Sequence, residues 1–213
     1  SGGFSLNGAN NYIALEKPGP TGQTQRSFSV WFKTTATNDM TIFGYGASSC
    51  RQSVQLRLNH NANYSAAYNG TTCPYTKGVA AVHGCHNGNF DAIVSDGQWH
   101  HVVATREKST GTMSVYVDGV LENTQVTTNT GSLTLPSYIY IGGQDYNSKY
   151  YKGQIEEVAV WTSTISSDGV AALYNSGSPL NVLADVGGYT SSSNLQGYWK
   201  FNDQSGSTAE DAS

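Results

Sequence analysis

The chain has 213 residues, of which only 12% are charged, and its net charge is −4 at pH 7. One large β-domain suits this length, because sandwiches and barrels of about 200–250 residues often form single units. The low charge does not indicate disorder, since 14 tyrosines and many β-branched residues recur along the chain. The cations are scattered without a basic run, which argues against nucleic-acid binding. No apolar stretch is long enough for a transmembrane helix.

Short runs of alternating apolar and polar residues dominate the sequence. The clearest examples are residues 27–33, 54–59 and 138–141. A period of two predicts strands with one buried and one outward set of side chains. Further strands are expected at residues 41–45, 64–68, 99–106, 112–117, 154–161 and 195–201. The breaks between them are rich in Gly, Asn and Ser, which favour turns.

One tight hairpin and one helix are also indicated. Asp118-Gly119 separates two apolar runs, and this pair readily adopts the positive φ values of a two-residue turn. Either Ser166 or Ser167 can cap a short helix that reaches Tyr174, and Gly177 can end it. One helix among many strands indicates a mostly antiparallel sandwich or barrel.

Residues 69–91 interrupt the strand pattern and predict a long loop of a kind that is often functional. Cys73 and Cys85 lie in this loop and Cys50 precedes it, and an odd number of cysteines leaves at least one of them unpaired within the chain. Cys73 with Cys85, and Cys50 with Cys73, are the two candidate disulfides. Either pairing would indicate an oxidising compartment.

Several segments together resemble the laminin-G-like jelly-roll domains of the concanavalin A-like lectin/glucanase superfamily. The most specific is Asp96-Gly97-Gln98-Trp99-His100-His101-Val102-Val103. The others, in the same order as in the family, are residues 4–13, 27–33, 114–119, 140–143, 153–158, 173–177 and 195–201. The resemblance covers nearly the whole chain except residues 69–91. It implies an all-β, antiparallel two-sheet jelly-roll sandwich with one short helix.

The resemblance also implies a class of function, since members of this superfamily commonly bind glycans or proteins and many hold one structural calcium ion. We expect residues 1–203 to form this domain and residues 204–213 to be a polar tail that begins a linker. The predicted function is a calcium-stabilised glycan- or polysaccharide-binding module of a larger extracellular, adhesin or virion surface protein. Neighbouring domains are its other expected partners, without nucleic acid or membrane insertion. The alternative is a protein-interaction or structural module without a sugar ligand.

Calcium prefers six to eight oxygen ligands, which Asn and Asp side chains supply. Asn10 and Asn11 supply such oxygens near one end, and Asp203 lies just after the last strand; the resemblance makes the first and last strands neighbours. Asp145 offers a second candidate position. The alternative is that all of these are ordinary turn residues. A zinc site at Cys73, His83, Cys85 and His86 is disfavoured, because it lacks the regular paired spacing of structural zinc ligands.

A sugar site requires an aromatic ring for stacking and planar polar groups for the hydroxyls. The predicted set combines a polar stripe on one strand with aromatic and loop residues: Gln55, Arg57, Asn59, Tyr64, Tyr68, His83 and Tyr146. The alternative for the tyrosines is plain sheet surface, where tyrosine has a good β-propensity.

No catalytic residues are predicted, and the chain is not expected to be an enzyme. Strand alternation sends the adjacent rings of His100 and His101 to opposite faces, and does the same to the carboxylates of Glu156 and Glu157. Glycoside hydrolysis requires two carboxylates on either side of one bond, which such a pair does not provide.

Overall fold

The computed structural model describes residues 3–22, 24–46, 53–58, 79–82, 94–126, 138–143, 148–202 and 209–213. This part of the chain contains twelve strands and one α-helix. They are β1 (Phe4–Asn7), β2 (Ile13–Pro18), β3 (Arg26–Lys33), β4 (Met40–Gly46), β5 (Ser53–Leu58), β6 (Val79–Val82), β7 (Trp99–Arg106), β8 (Thr112–Val117), β9 (Val120–Val126), β10 (Tyr138–Ile141), β11 (Lys152–Trp161), α1 (Ser167–Tyr174) and β12 (Leu195–Trp199).

The strands form two antiparallel sheets. The seven-stranded sheet has the order β1-β11-β3-β7-β8-β9, and β12 also pairs with β11. The five-stranded sheet has the order β2-β10-β4-β5-β6. This two-layer arrangement with a single short helix confirms the predicted jelly-roll sandwich.

The main core fills the space between the two sheets. Phe28 of β3 stacks on Phe43 of β4 with ring centroids 4.5 Å apart and joins the two layers. Val30 and Phe32 are fully buried in the same core, as the period of two predicts. Each buried aliphatic or aromatic side chain of this kind contributes about 1.5–3 kcal/mol.

A second core covers the outward face of the seven-stranded sheet. Val170 and Leu173 of α1 pack there with Trp161 of β11. Ser166 is the N-cap, because its Oγ accepts the N–H of Gly169 at 3.1 Å. The helix ends at Asn175, which adopts a left-handed conformation with φ 46°, two residues before the predicted Gly177. One face of the sandwich is therefore covered by the helix.

Glu157 forms a bulge at the point where β11 changes its partner strand. β1 pairs with the first half of β11 and β12 with the second half, so the two strands follow one another along the same side. Glu157 has φ 53°, and the β11–β3 register shifts between Glu156 and Ala159. The extra residue breaks the alternation of side chains.

The bulge makes the prediction of opposite faces for the two glutamates wrong. Glu156 pairs with Trp31, which lies on the helix-covered face. Glu157 accepts a short hydrogen bond from the hydroxyl of Tyr198 on the same side. Burial raises the pKa of Glu157.

Other elements differ from the sequence-based expectations. The predicted first strand, residues 4–13, is two strands in different sheets, joined by a turn at residues 7–11. Residues 79–82 form strand β6 inside the predicted loop, whereas the predicted strand at 64–68 lies outside the described residues. That the tail begins a linker stays a prediction; at its end, the N–H of Ala212 donates to Tyr198 O at 2.8 Å. Within the described ranges, no helix is long and apolar enough to cross a membrane.

Candidate binding face

The outward face of the five-stranded sheet carries a group of tyrosines. Tyr138 and Tyr140 alternate with the buried Ile139 and Ile141 in β10, so both phenol rings point away from the core. Tyr140 pairs with the exposed Ala14 of β2. Tyr12, Ala14, Tyr138, Tyr140 and Tyr150 are called the tyrosine face below.

Three of these rings form a cluster. Tyr12 lies 5.8 Å from Tyr140 and 6.3 Å from Tyr150, measured between ring centroids, and the latter pair is nearly parallel at 18°. Tyr12 and Tyr138 remain 38% and 52% exposed. Tyrosine offers a large, rigid and amphipathic contact area at low entropic cost. The face can therefore stack a flat ligand and bind its hydroxyls.

The backbone holds Tyr150 in this cluster. The N–H of Thr41 donates to Lys149 O at 2.7 Å, and the N–H of Tyr151 donates to Gly142 O at 2.9 Å. Gly143 leaves room for the rings, since a Cβ there would lie 2.8 Å from Tyr150 and 3.3 Å from Tyr12. The segment after β10 thus returns to the sheet and fixes the third ring.

The predicted polar stripe shares this outward face, although little of it reaches solvent. Val54, Leu56 and Leu58 enter the core, which places Gln55 and Arg57 on the other side of β5. Gln55 is only 8% exposed. Arg57 Nη2 lies 2.5 Å from Asp39 Oδ2 in an ion pair. The accessible part of the face therefore lies on β2 and β10, and strand β4 separates β10 from Gln55 of β5.

Most other predicted binding residues lie outside the described residues. These are Asn59, Tyr64, Tyr68, His83 and Tyr146, together with the candidate disulfide cysteines Cys73 and Cys85. Their roles stay predictions.

The predicted calcium ligands Asn10 and Asn11 belong to the turn after β1. Asn11 Oδ1 accepts the N–H of Asn7 at 2.9 Å, and Asn7 Oδ1 accepts that of Ala9 at the same distance. The side-chain amides of Asn7 and Asn11 thus stabilise the turn. The turn lies at the opposite end of β1 from Phe4, which contacts Phe201 near the last strand. Asp145 and Asp203 lie outside the described residues, so calcium binding stays a prediction.

The described residues contain no group of three or more His, Cys, Asp or Glu side chains that suits a metal ion. His100 and His101 do lie on opposite faces, as predicted. His101 stacks on Trp31 at 4.8 Å beneath the helix, whereas His100 lies between Asp118 and Asp96 at 2.8 and 3.1 Å. The hydrogen bond that His100 donates to the carboxylate of Asp118 raises the pKa of His100.

Tyr12, Tyr138, Tyr140 and Tyr150 are not among the site residues predicted from the sequence. The alternation of Tyr138 and Tyr140 with two isoleucines already indicated outward tyrosines. Tyr12 and Tyr150 join them only through the path of the folded chain, which no local pattern reveals.

Comparison with known proteins places this geometry in a family. A family model described as the concanavalin A-like lectin/glucanases superfamily matches residues 7–171. No curated protein matches the sequence.

Solved structures with the same fold share little sequence with the chain. A Bacteroides ovatus protein to which carbohydrate binding is attributed has a TM-score of 0.64 at 18% identity; the match covers 100% of this chain and 56% of that protein. The heptameric SAP-like pentraxin of Limulus polyphemus has a TM-score of 0.63 at 16% identity, and the match covers 98% of this chain and 91% of the pentraxin. Domain 4 of an extracellular arabinanase from Geobacillus stearothermophilus, solved with arabinotriose, has a TM-score of 0.58 at 20% identity, with 80% and 75% covered. At these identities the likeness shows the fold alone.

Proposed function

Since the chain belongs to the concanavalin A-like lectin/glucanase superfamily, we propose that it is a glycan-binding module and that its tyrosine face is the binding surface. The single observation that carries this proposal is the cluster of Tyr12, Tyr140 and Tyr150 on the sheet face opposite the helix-covered one. Stacking on exposed tyrosines provides contact area, and the phenol hydroxyls provide hydrogen bonds.

Similar structures support the ligand class. The arabinanase domain was solved with arabinotriose, and a carbohydrate-binding module of a Ruminococcus gnavus sialidase was solved with α2,3-sialyllactose. The superfamily includes both lectins and glucanases. Membership alone therefore does not decide between binding and catalysis, and binding without catalysis is part of the proposal. The buried Glu156 and the half-buried Glu157 lie on the helix-covered side of the sandwich, away from the tyrosine face.

An extracellular or surface location within a larger protein is also part of this proposal. The arabinanase neighbour is described as extracellular, and the chain spans about half of the Bacteroides ovatus protein. Calcium is a further proposed component. The described part of its candidate ligand set offers only the amide oxygens of Asn10 and Asn11, fewer than the six to eight that calcium requires.

The first test is a glycan array with the wild type, Tyr12→Ala and Tyr138→Ala, in calcium and in chelator. We expect binding to a defined glycan class and a loss of about tenfold or more in each variant, as for a central aromatic contact. Leu183→Ala changes an exposed apolar residue elsewhere and serves as the matched control, with unchanged binding. A loss of binding in chelator alone would assign calcium to the site. Absence of binding by the folded wild type would contradict the proposal.

A protein-interaction module is the second candidate, and one observation favours it. Val120 and Leu121, next to the hairpin turn, are 62% and 51% exposed. Exposed apolar side chains at a hairpin end are available for a protein contact, and a contiguous patch of them is what marks such a surface. If Leu121→Ser abolished binding to a partner while no glycan bound, this function would replace the first.

A further inference from the structure

A groove of about 610 Å³ lies at the end of strand β2, next to the tyrosine face. Its walls include Pro18 at the end of β2, Pro20 after it, Thr162 after β11, and Gln196 in β12. Pro18 is also the cross-strand partner of Tyr138, the more exposed of the two tyrosines in β10. The tyrosine face and the groove therefore meet at Pro18.

The groove has a mixed polar and apolar lining and is mostly uncharged. Thr21, Thr24, Thr162 and Gln196 contribute hydroxyl and amide groups, and Lys108 is the only charged residue that lines it among those described. The two prolines add apolar surface. This composition suits a ligand with many hydroxyl groups and little charge.

Several of these polar groups have acceptor capacity left for a ligand. The hydroxyl of Thr24 donates to Thr21 O at 2.9 Å, and that of Thr162 donates to Asn194 O at 3.2 Å. Each hydroxyl oxygen therefore keeps its lone pairs for an incoming donor. Gln196 Nε2 donates to Pro18 O at 2.8 Å. Its Oε1 is buried without a hydrogen-bond partner in the described part of the chain.

Several hydrogen-bond acceptors together favour a ligand that carries hydrogen-bond donors, and sugar hydroxyls are such donors. The buried Gln196 Oε1 would accept one after a small rotation of the side chain toward the groove that it lines. Buried polar groups are rarely left unpaired in folded proteins, so this acceptor marks a position where a partner fits.

The span between the two surfaces sets the size of the ligand. Tyr12 and Pro18 are six residues apart in and before β2, which corresponds to about 20 Å along an extended strand. We propose that the groove is a second subsite for the same ligand, and that this ligand is an extended neutral polysaccharide running from the tyrosine face into the groove. This inference rests on the proposed glycan-binding function and adds the ligand's length and charge.

The test compares chain lengths of one glycan. Arabinan, xylan, mixed-linkage β-glucan and galactomannan serve as probes in affinity electrophoresis, and the trisaccharide and hexasaccharide of each retained polymer are then titrated by calorimetry. We expect the hexasaccharide to bind at least about tenfold more tightly than the trisaccharide. Gln196→Met and Thr162→Val should each reduce that advantage severalfold and leave trisaccharide affinity unchanged. Gln154→Met, a similarly half-buried residue on β11, is the matched control.

The outcomes separate this inference from the proposed function. Equal affinity for both lengths, equal losses for both lengths in Gln196→Met and Thr162→Val, or retention by none of the four polymers would overturn the extended-ligand proposal. Binding of sialyllactose alone would also overturn it, while leaving the glycan-binding function intact. Tyr12→Ala reports on that function separately, because it should weaken both chain lengths. Thr162 is exposed, so its variant keeps the test valid if Gln196→Met fails to fold.

Discussion

The acid sensitivity of the fold should depend on one buried histidine. His101 is almost completely buried, stacks on Trp31, and lies with its Nε2 2.7 Å from the hydroxyl of Ser29. Burial lowers its pKa to about 3, from an ordinary value of 6.5, and the charge of Asp118 only partly opposes this. Replacing His101 with Phe keeps an aromatic ring in the stack and removes the titration.

The sign and size of the effect follow from the two pKa values. Because the folded-state pKa is lowered, the stabilisation is fully present above pH 6.5 and is lost as the pH falls toward 3. In that window the unfolded chain binds a proton that the folded chain does not. At pH 4 the loss is about 3 kcal/mol, because each pH unit below 6.5 costs about 1.4 kcal/mol. His101→Phe should lack this loss. Its free energy of unfolding at pH 7 should be lower than that of the wild type by about 1 kcal/mol, because the hydrogen bond with Ser29 is missing.

Urea unfolding at pH 7, 5.5 and 4 measures this difference. His100→Gln is the matched control, since the neighbouring His100 has a raised pKa and contributes stability that is lost as the pH rises. The control should keep the loss of stability toward pH 4 that His101→Phe removes. Identical pH dependence of the wild type and His101→Phe would refute the burial argument.

Three further predictions concern the stability of the folded domain. Glu157→Gln should raise the free energy of unfolding at pH 7 by up to about 1 kcal/mol. Burial raises the pKa of Glu157, and an amide removes the charge while still accepting the hydrogen bond from Tyr198. A less stable variant in urea unfolding would contradict this. Asp211→Asn should lower stability by about 1 kcal/mol, and the difference should shrink at high salt, because Lys17 Nζ lies 2.5 Å from Asp211 Oδ2; a salt-independent difference would refute the ionic explanation. Gly153→Ala should cost more than about 2 kcal/mol in thermal unfolding, since a Cβ would press on Lys33 O and φ is +153°; a neutral outcome would show that the backbone relaxes.

The sequence predicted those parts of the fold that depend on local chemistry. Asp118 and Gly119 have φ values of 50° and 80°, as the predicted hairpin turn requires. Ser166 caps the predicted helix, and the alternation in β5 places Gln55 and Arg57 on one face. Such features are set by steric preferences and periodicity within a few residues.

The features that the sequence did not predict depend on distant contacts. Glu157 adopts a left-handed conformation that usually indicates glycine, because β12 and β1 succeed each other along β11 at that point. The exposure of Tyr138 and the burial of Gln55 cannot be predicted from alternation. Alternation assigns side chains to two faces of a strand but does not show which parts of those faces other segments bury. Tyr150 reaches Tyr12 only because the chain returns beside β4.

A crystal structure of the wild type with the strongest ligand from the glycan array tests the central claim most directly. The account predicts a sugar ring stacked on Tyr12, Tyr138 or Tyr140, with the ligand's other end toward Pro18 and Gln196. A ligand bound on the helix-covered side of the sandwich, or on a surface that includes none of these tyrosines, would contradict it.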